Sequence, residues 1–254
     1  MGRLTDKTAL VTGASRGIGR GIARRLARDG ALVAVHYATG ETEAKETAEL
    51  IGAEGGQAFT VCADLADPEQ VTELFAALER ELRERTGSAA LDILVNNAAY
   101  DGRPTLPEAV TVAELDKYLA VNARAPFLVA QQALAVLAEG GRIVNISSGI
   151  TRSAQPDMIA YAMSKGVIEQ LTLHLARHVA DRGITVNSVA PGLTDNGKPQ
   201  FSNPAVVARL AELSAFKRVG RVEDIADVVA FVASDEARWI TGSYIDASGG
   251  TLLG

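Results

Sequence analysis

Tyr161 and Lys165 stand four residues apart in the run Tyr161-Ala162-Met163-Ser164-Lys165. On a helix both side chains then project from one face, about 40° apart at 3.6 residues per turn. A phenol beside an ammonium can handle a proton. A free tyrosine has a pKa of about 10 and is a poor base at neutral pH, but a nearby cation favours its phenolate. The same spacing also suits an i,i+4 surface pair with no chemical role, so the surrounding elements must decide. Just upstream, the apolar strand-like run Arg142 to Ile146 leads into Ser147-Ser148.

Strand-like and helix-like segments alternate along the chain. Short apolar runs predict strands at Thr8 to Thr12, Leu32 to Val35, Ala58 to Cys62, Leu91 to Val95, Arg142 to Ile146, Thr185 to Val189 and Ser243 to Ile245. Between them, Ile18, Ile22 and Leu26 recur at helical spacing before Gly30. Further helices are expected over Glu41 to Glu54, Pro68 to Arg85, Val112 to Leu137, Tyr161 to Asp181 and Val222 to Ala233. Strands apolar on both faces, alternating with helices, predict an α/β fold: a doubly wound parallel sheet of about seven strands covered on both sides. Such a Rossmann-type sheet binds ligands outside the carboxyl ends of its strands. One domain over 1–254 is expected. The irregular stretch Gly192 to Pro204 suits a mobile substrate lid, taken as about 193–216.

Composition narrows the partners. The chain has 254 residues, 47% hydrophobic and 22% charged, which is ordinary globular composition. A net charge of −6 without a basic run argues against nucleic acid or an anionic membrane. The single cysteine, Cys62, excludes an internal disulfide and reads as a small buried hydrophobe. Met1 to Lys7 is polar, and no apolar run approaches the roughly 18 residues of a membrane span. A cytoplasmic protein is expected.

The turn Thr12-Gly13-Ala14-Ser15-Arg16-Gly17-Ile18-Gly19 lies between the first strand and the first helix. Glycines there let the backbone approach a pyrophosphate, and the helix N-terminus supplies N–H groups and positive dipole. An ordinary tight turn is the alternative. NAD sites place a carboxylate about 20 residues further on to hold the ribose hydroxyls. Here that place reads His36-Tyr37-Ala38-Thr39, with no acid until Glu41. A 2′-phosphate would meet no repulsion; Arg16 can add positive charge and Thr39 a hydroxyl. NADP(H) is therefore expected ahead of NAD(H), unless Arg16 is merely a solvated charge.

These pieces, with Asp64, Asn96-Asn97-Ala98-Ala99, Asn122, Ser148 and Pro191-Gly192 in that order, resemble the short-chain dehydrogenase/reductase family in its compact branch, including 3-ketoacyl-carrier-protein reductase-like enzymes. The resemblance spans nearly the whole chain. It implies a hydride transfer between NADP(H) and a carbonyl or secondary alcohol. Tyr161 would be the general acid/base, Ser148 would orient the substrate oxygen, and Lys165, together with the cationic nicotinamide of the oxidised cofactor, would lower the Tyr161 pKa and also hold the cofactor ribose. Asn122 would hold a water at a helix break. Pro126 stands four residues beyond it and has no N–H to offer its carbonyl; a plain kink is the other reading. The cofactor contacts implied are Gly13, Ser15, Arg16, Gly17, Ile18, Gly19, Tyr37, Ala38, Thr39, Asp64, Leu65, Asn97, Ala98, Tyr161, Lys165, Pro191, Gly192 and Thr194. Asp64 would contact adenine, or serve only as a loop or capping acid. Ala99 and Asn196 depart from the family pattern, which has Gly and Thr there. No metal is implied.

The expected substrate lining is Tyr100, Asp101, Ile150, Arg152, Gln155, Met158 and the lid. It names no ligand: a 3-ketoacyl group on a carrier protein docked by Arg182, sugars, steroids and simple ketones stay open. The resemblance also implies a homotetramer. Ala123, Ala130 and Ala133 would permit close packing between subunits or against the chain's own sheet. Two rival functions stay open, a non-catalytic nucleotide-binding regulator on the same fold and an NAD-dependent dehydrogenase.

Overall fold

Alternate residues of the central strands face opposite layers, and two apolar cores result. Ala9 and Val11, Ile93 and Val95, and Val144 and Ile146 enter one core; Leu10, Leu94 and Ile143 enter the other. The period of two along a strand requires this split. The computed structural model that shows it describes residues 2 to 251 and Leu253, so Met1 of the polar leader lies outside the described residues.

Seven parallel strands form one sheet: β1 (Thr8–Val11), β2 (Leu32–Tyr37), β3 (Gln57–Cys62), β4 (Leu91–Asn96), β5 (Leu137–Ile146), β6 (Thr185–Pro191) and β9 (Tyr244–Ala247). Their order across the sheet is β3-β2-β1-β4-β5-β6-β9. Helices α1 (Gly17–Arg28) and α8 (Val222–Val232) cover the first core, and α3 (Pro68–Thr86) and α5 (Ala125–Val136) the second. The other α-helices are α2 (Glu41–Ala53), α4 (Val112–Leu119), α6 (Ile159–His178) and α7 (Pro204–Ala211). The chain leaves β1 toward β2 on one side and reaches β4 on the other. That reversal opens a crevice above the carboxyl ends of β1 and β4.

Several expectations are corrected here. The segment 112–137 is not one regular helix: α4 ends at Leu119, a π turn spans Ala120–Arg124, and α5 follows. In that turn the Ala125 N–H reaches back to the Ala120 carbonyl, one residue further than in an α-helix, just before Pro126. The expected lid is not featureless. It holds α7, capped by Asn203, and a short strand β7 (Thr194–Asp195) paired with β8 (Gly220–Arg221). Ala123, Ala130 and Ala133 are buried within this chain, so they are not available for packing between subunits. Cys62 is exposed, because it ends β3 beyond the helices that cover the sheet.

Candidate active site

The end of β5 and the start of α6 bring the proposed proton-handling residues together. Ser147 and Ser148 follow the last residue of β5 and point to different partners. Ser147 is buried and its hydroxyl donates to Glu169 at 3.4 Å. The Ser148 hydroxyl accepts the Ile150 N–H at 3.3 Å and lies near enough to the Tyr161 phenol to pull its pKa down. Lys165 is buried on the same helical face as Tyr161, with its Nζ 5.9 Å from the ring centre.

Burial dominates the electrostatics. Tyr161 remains partly open to the crevice, yet desolvation pushes its phenol up to about 12, with Ser148 pulling down and Tyr118 pushing up. Desolvation lowers Lys165 to about 8, and its ammonium donates to the Ile146 carbonyl at 2.8 Å. The ammonium faces the strand end, and in the chain alone the loss of water around the phenol sets the direction of its shift.

Asn122 occupies the π turn and is fully buried. Its Oδ1 accepts the Tyr100 N–H at 2.7 Å, and its Nδ2 donates to the Tyr100 carbonyl at 2.7 Å and to Ser164 Oγ at 3.0 Å. The Ser164 hydroxyl donates in turn to the Tyr161 carbonyl at 2.7 Å. Asn122 thereby ties the loop after β4 to the turn of α6 that carries Tyr161. The rings of Tyr100, Tyr118 and Tyr161 form a row, with centroids 5.0 Å and 6.2 Å apart.

The glycine turn leaves room for little but glycine. A Cβ on Gly19 would stand 2.2 Å from the Gly13 carbonyl oxygen and 2.5 Å from Asn97 Nδ2. Gly13 has φ +62°, and a Cβ there would lie 2.9 Å from Ala98 Cα. Asn97 Nδ2 donates to the carbonyls of Thr12 at 2.8 Å and Gly13 at 3.1 Å. The Thr12 hydroxyl accepts the N–H groups of Asn97 at 2.9 Å and Ala98 at 3.0 Å. No acidic side chain stands in the first turn of α1, so its unpaired N–H groups and positive dipole end face the crevice. Arg16 is exposed beside them, and burial followed by the Arg16 charge lowers the pKa of Lys198, which is ion-paired with Asp101. Asn196 packs against Gly17, and its Oδ1 is buried without a partner. A narrow backbone cradle and two adjacent cations fit a dinucleotide's phosphates.

Other expected contacts are distributed unevenly. Tyr37, Ala38 and Thr39 follow at the open end of β2 with no carboxylate among them. Asp64 spends one carboxylate oxygen on the Ala66 N–H at 2.9 Å, and Leu65 turns its side chain into the second core. Pro191 ends β6, the Thr194 hydroxyl donates to the Gly192 carbonyl at 3.2 Å, and a Cβ on Gly192 would meet the Ser248 carbonyl oxygen at 2.7 Å. Arg152, expected to line the substrate site, instead pairs with Glu169 at 2.9 Å and lies over the Tyr244 ring. Arg182 is occupied by Glu139 and by the carbonyls of Leu134 and Leu137, which leaves it no freedom to dock a carrier.

Sequence reasoning overlooked three residues. Arg20 binds the Ser15 carbonyl through Nε at 3.0 Å and Nη2 at 2.6 Å. Tyr118 lies in the aromatic row. His36 is buried among polar contacts at the end of β2, and a polar ring following a run of apolar strand positions was the available signal.

A family model described as enoyl-(acyl carrier protein) reductase matches residues 13–251. Among solved structures, the promiscuous reductase LugOII, which catalyses keto-reduction at C1 during lugdunomycin biosynthesis, is 62% identical. Its TM-score is 0.97, and the match covers 99% of this chain and all of that one (100%). The angucycline C-6 ketoreductase LanV, solved with bound NADP, is 60% identical with a TM-score of 0.96, covering 100% of this chain and 98% of that one. A further LanV structure holds NADP and rabelomycin, at 58% identity and a TM-score of 0.93, covering 100% of this chain and 99% of that one. The 3-oxoacyl-[acyl-carrier-protein] reductase FabG of Staphylococcus aureus is 38% identical over 97% of this chain and 98% of its own length.

Proposed function

The chain belongs to the short-chain dehydrogenase/reductase family, and from that premise we propose that it is an NADPH-dependent ketoreductase acting on polycyclic aromatic ketones of the angucycline kind. The observation that carries this reading is geometric: the Tyr161 phenol stands beside Ser148, with the buried Lys165 ammonium 5.9 Å from its ring centre and fixed to the end of the same strand. A phenol so placed can give its proton to a carbonyl oxygen that Ser148 orients.

NADPH supplies the hydride when bound. Gly17, Ile18 and Gly19 would cradle its phosphates, Gly13 would give them room to approach, Arg16 and Lys198 would counter their charge, and Asn97, Ala98 and Lys165 would line the ribose. Ser148 orients the carbonyl oxygen by hydrogen bonding, and Tyr161 passes its proton to that oxygen as charge develops there. Lys165, held to Ile146, keeps a positive charge behind the phenol and stabilises the phenolate left once the proton has gone. Asn122 holds Tyr100 and the Tyr161 turn in register.

Identity near 60% to LugOII and LanV supports the substrate class, and Ile150, Met158 and Leu193 offer apolar lining for a flat ring system. The segment 193–216 is the movable cover of that site. A homotetramer in the cytoplasm completes the proposal. Its support is the apolar side chains left exposed on α5 and α6, Phe127, Met163 and Leu173. Among the described residues no helix is long and apolar enough to cross a membrane.

The test is NADPH and NADH oxidation with rabelomycin, a simple ketone panel and an acetoacetyl thioester. Turnover of rabelomycin with NADPH is expected. Turnover of the thioester alone would overturn the substrate class, and a clear NADH preference would overturn the cofactor.

A further inference from the structure

We infer that His36 is a positioning residue for the dinucleotide site: its neutral imidazole, protonated on Nε2, sets the glycine turn from the side of β2. His36 is 1% exposed, at the carboxyl end of β2. Its Nδ1 lies 3.0 Å from the Gly13 backbone nitrogen, and its Nε2 lies 3.1 Å from the Ala63 carbonyl oxygen. The two partners leave one tautomer. A backbone N–H can only donate, so Nδ1 must accept; a carbonyl can only accept, so Nε2 must carry the proton. An imidazolium would set a second proton against the Gly13 N–H.

This ring joins three crevice walls. Gly13 belongs to the glycine turn after β1, Ala63 follows β3 beside Asp64, and His36 immediately precedes Tyr37, Ala38 and Thr39. The backbone adds to the junction: the His36 carbonyl accepts the Ala14 N–H at 2.8 Å, and the Tyr37 carbonyl accepts the Ala63 N–H at 3.0 Å. His36 therefore takes up both the Gly13 and the Ala14 N–H groups. Neither is left for a phosphate, and the turn must offer its donors further on, from the start of α1 at Gly17. Gly13 is gripped at both ends, its N–H by His36 on β2 and its carbonyl by Asn97 beyond β4. Its φ of +62° places it where a small displacement would run into Ala98. Releasing the His36 grip lets the turn move relative to the strand end that holds the adenosine ribose. His36 touches no reacting atom, so its loss acts on cofactor binding and leaves the proton-handling residues in place.

The inference rests on the proposal that the crevice binds NADPH, and two substitutions test it. His36→Asn puts a carbonyl oxygen at the place of Nδ1, whereas His36→Gln puts its amide at the place of Nε2 and leaves the Gly13 N–H unpaired. Binding of NADPH to the substrate-free protein is measured by fluorescence, with KM and kcat followed separately. His36→Gln is expected to raise the NADPH dissociation constant and KM about tenfold, the size of one buried donor left unmade, with kcat within about twofold. His36→Asn is expected to restore binding to within about threefold of wild type. Equal binding by wild type and His36→Gln, or equal losses in both variants, would overturn the inference. Should either variant fail to fold, the imidazole ¹⁵N shifts of the wild-type protein decide: they must show Nδ1 bare and Nε2 protonated, and the opposite tautomer refutes the assignment. Wild-type protein that binds no NADPH would instead refute the cofactor proposal itself.

Discussion

Lys165 directs its ammonium to the carbonyl of Ile146, 2.8 Å away, at the point where β5 ends and Ser147-Ser148 begins. The charge is thus fixed to the same strand end that presents Ser148. Tyr161, one helical turn earlier on α6, meets Ser148 from the other side. The three groups are referred to one strand terminus, so their relative positions do not depend on the segment 193–216 beyond β6.

Replacing Tyr161 by Phe removes the proposed proton donor and leaves the ring in place. Steady-state ketone reduction should fall by about 10²–10⁴-fold. NADPH affinity, read by fluorescence titration, should stay within about threefold of wild type, since one hydrogen bond is the most that changes there. Wild-type turnover in this variant would refute the role given to Tyr161.

Ser148→Ala should lower kcat by about 10²–10³-fold, because the role proposed for the hydroxyl is to meet the oxygen where charge develops. Ser147→Ala provides the contrast. Its hydroxyl faces Glu169, so kcat should change by less than about threefold, the worth of one weak hydrogen bond.

Gly19→Ala forces a methyl to within 2.2 Å of the Gly13 carbonyl oxygen. The turn must shift, which should cost roughly 1–3 kcal/mol of stability. Thermal melts and NADPH titration should show a lower melting temperature and at least tenfold weaker binding, about 1.4 kcal/mol.

Arg16→Glu reverses the exposed charge beside the start of α1. NADPH kcat/KM should fall about tenfold or more, the worth of a charge-assisted contact, while NADH kcat/KM stays equal or rises. Equal losses with both cofactors would detach Arg16 from the 2′-phosphate.

His36 gives the folded protein an acid limit. Burial lowers its pKa from 6.5 to about 4, against the opposing pull of the Ala63 carbonyl and Asp64. Between those values the unfolded chain binds a proton that the folded chain refuses, so stability falls as pH drops from 6.5 toward 4 and levels off below. The loss is of order 3 kcal/mol. Urea unfolding of the cofactor-free protein at about pH 7 and about pH 4.5, on either side of most of that titration, should show the drop. His36→Asn should flatten this part of the profile.

The sequence by itself determined what local chemistry and periodicity can encode. Apolar runs alternating with helical patterns specified the parallel sheet, because a strand buried on both faces has no polar side to show. The glycine spacing after β1, the four-residue step from Tyr161 to Lys165 and the proline after Asn122 were legible because each lies within one turn or one helix. Contacts between segments distant in the chain were decided only by the fold. Ser147 and Ser148 are equivalent as letters until Glu169 takes one of them. The spacing of Tyr161 and Lys165 says nothing of the enclosure by helices and sheet that drives both groups toward neutrality in the chain alone. Arg152, Arg182 and the alanines of α5 were absorbed by partners contributed from other elements. His36, a polar ring at the end of an apolar run, became the junction of three strand ends because β1 and β3 flank β2. Desolvation and hydrogen-bond pairing are properties of the assembled neighbourhood, and no local pattern of residues contains them.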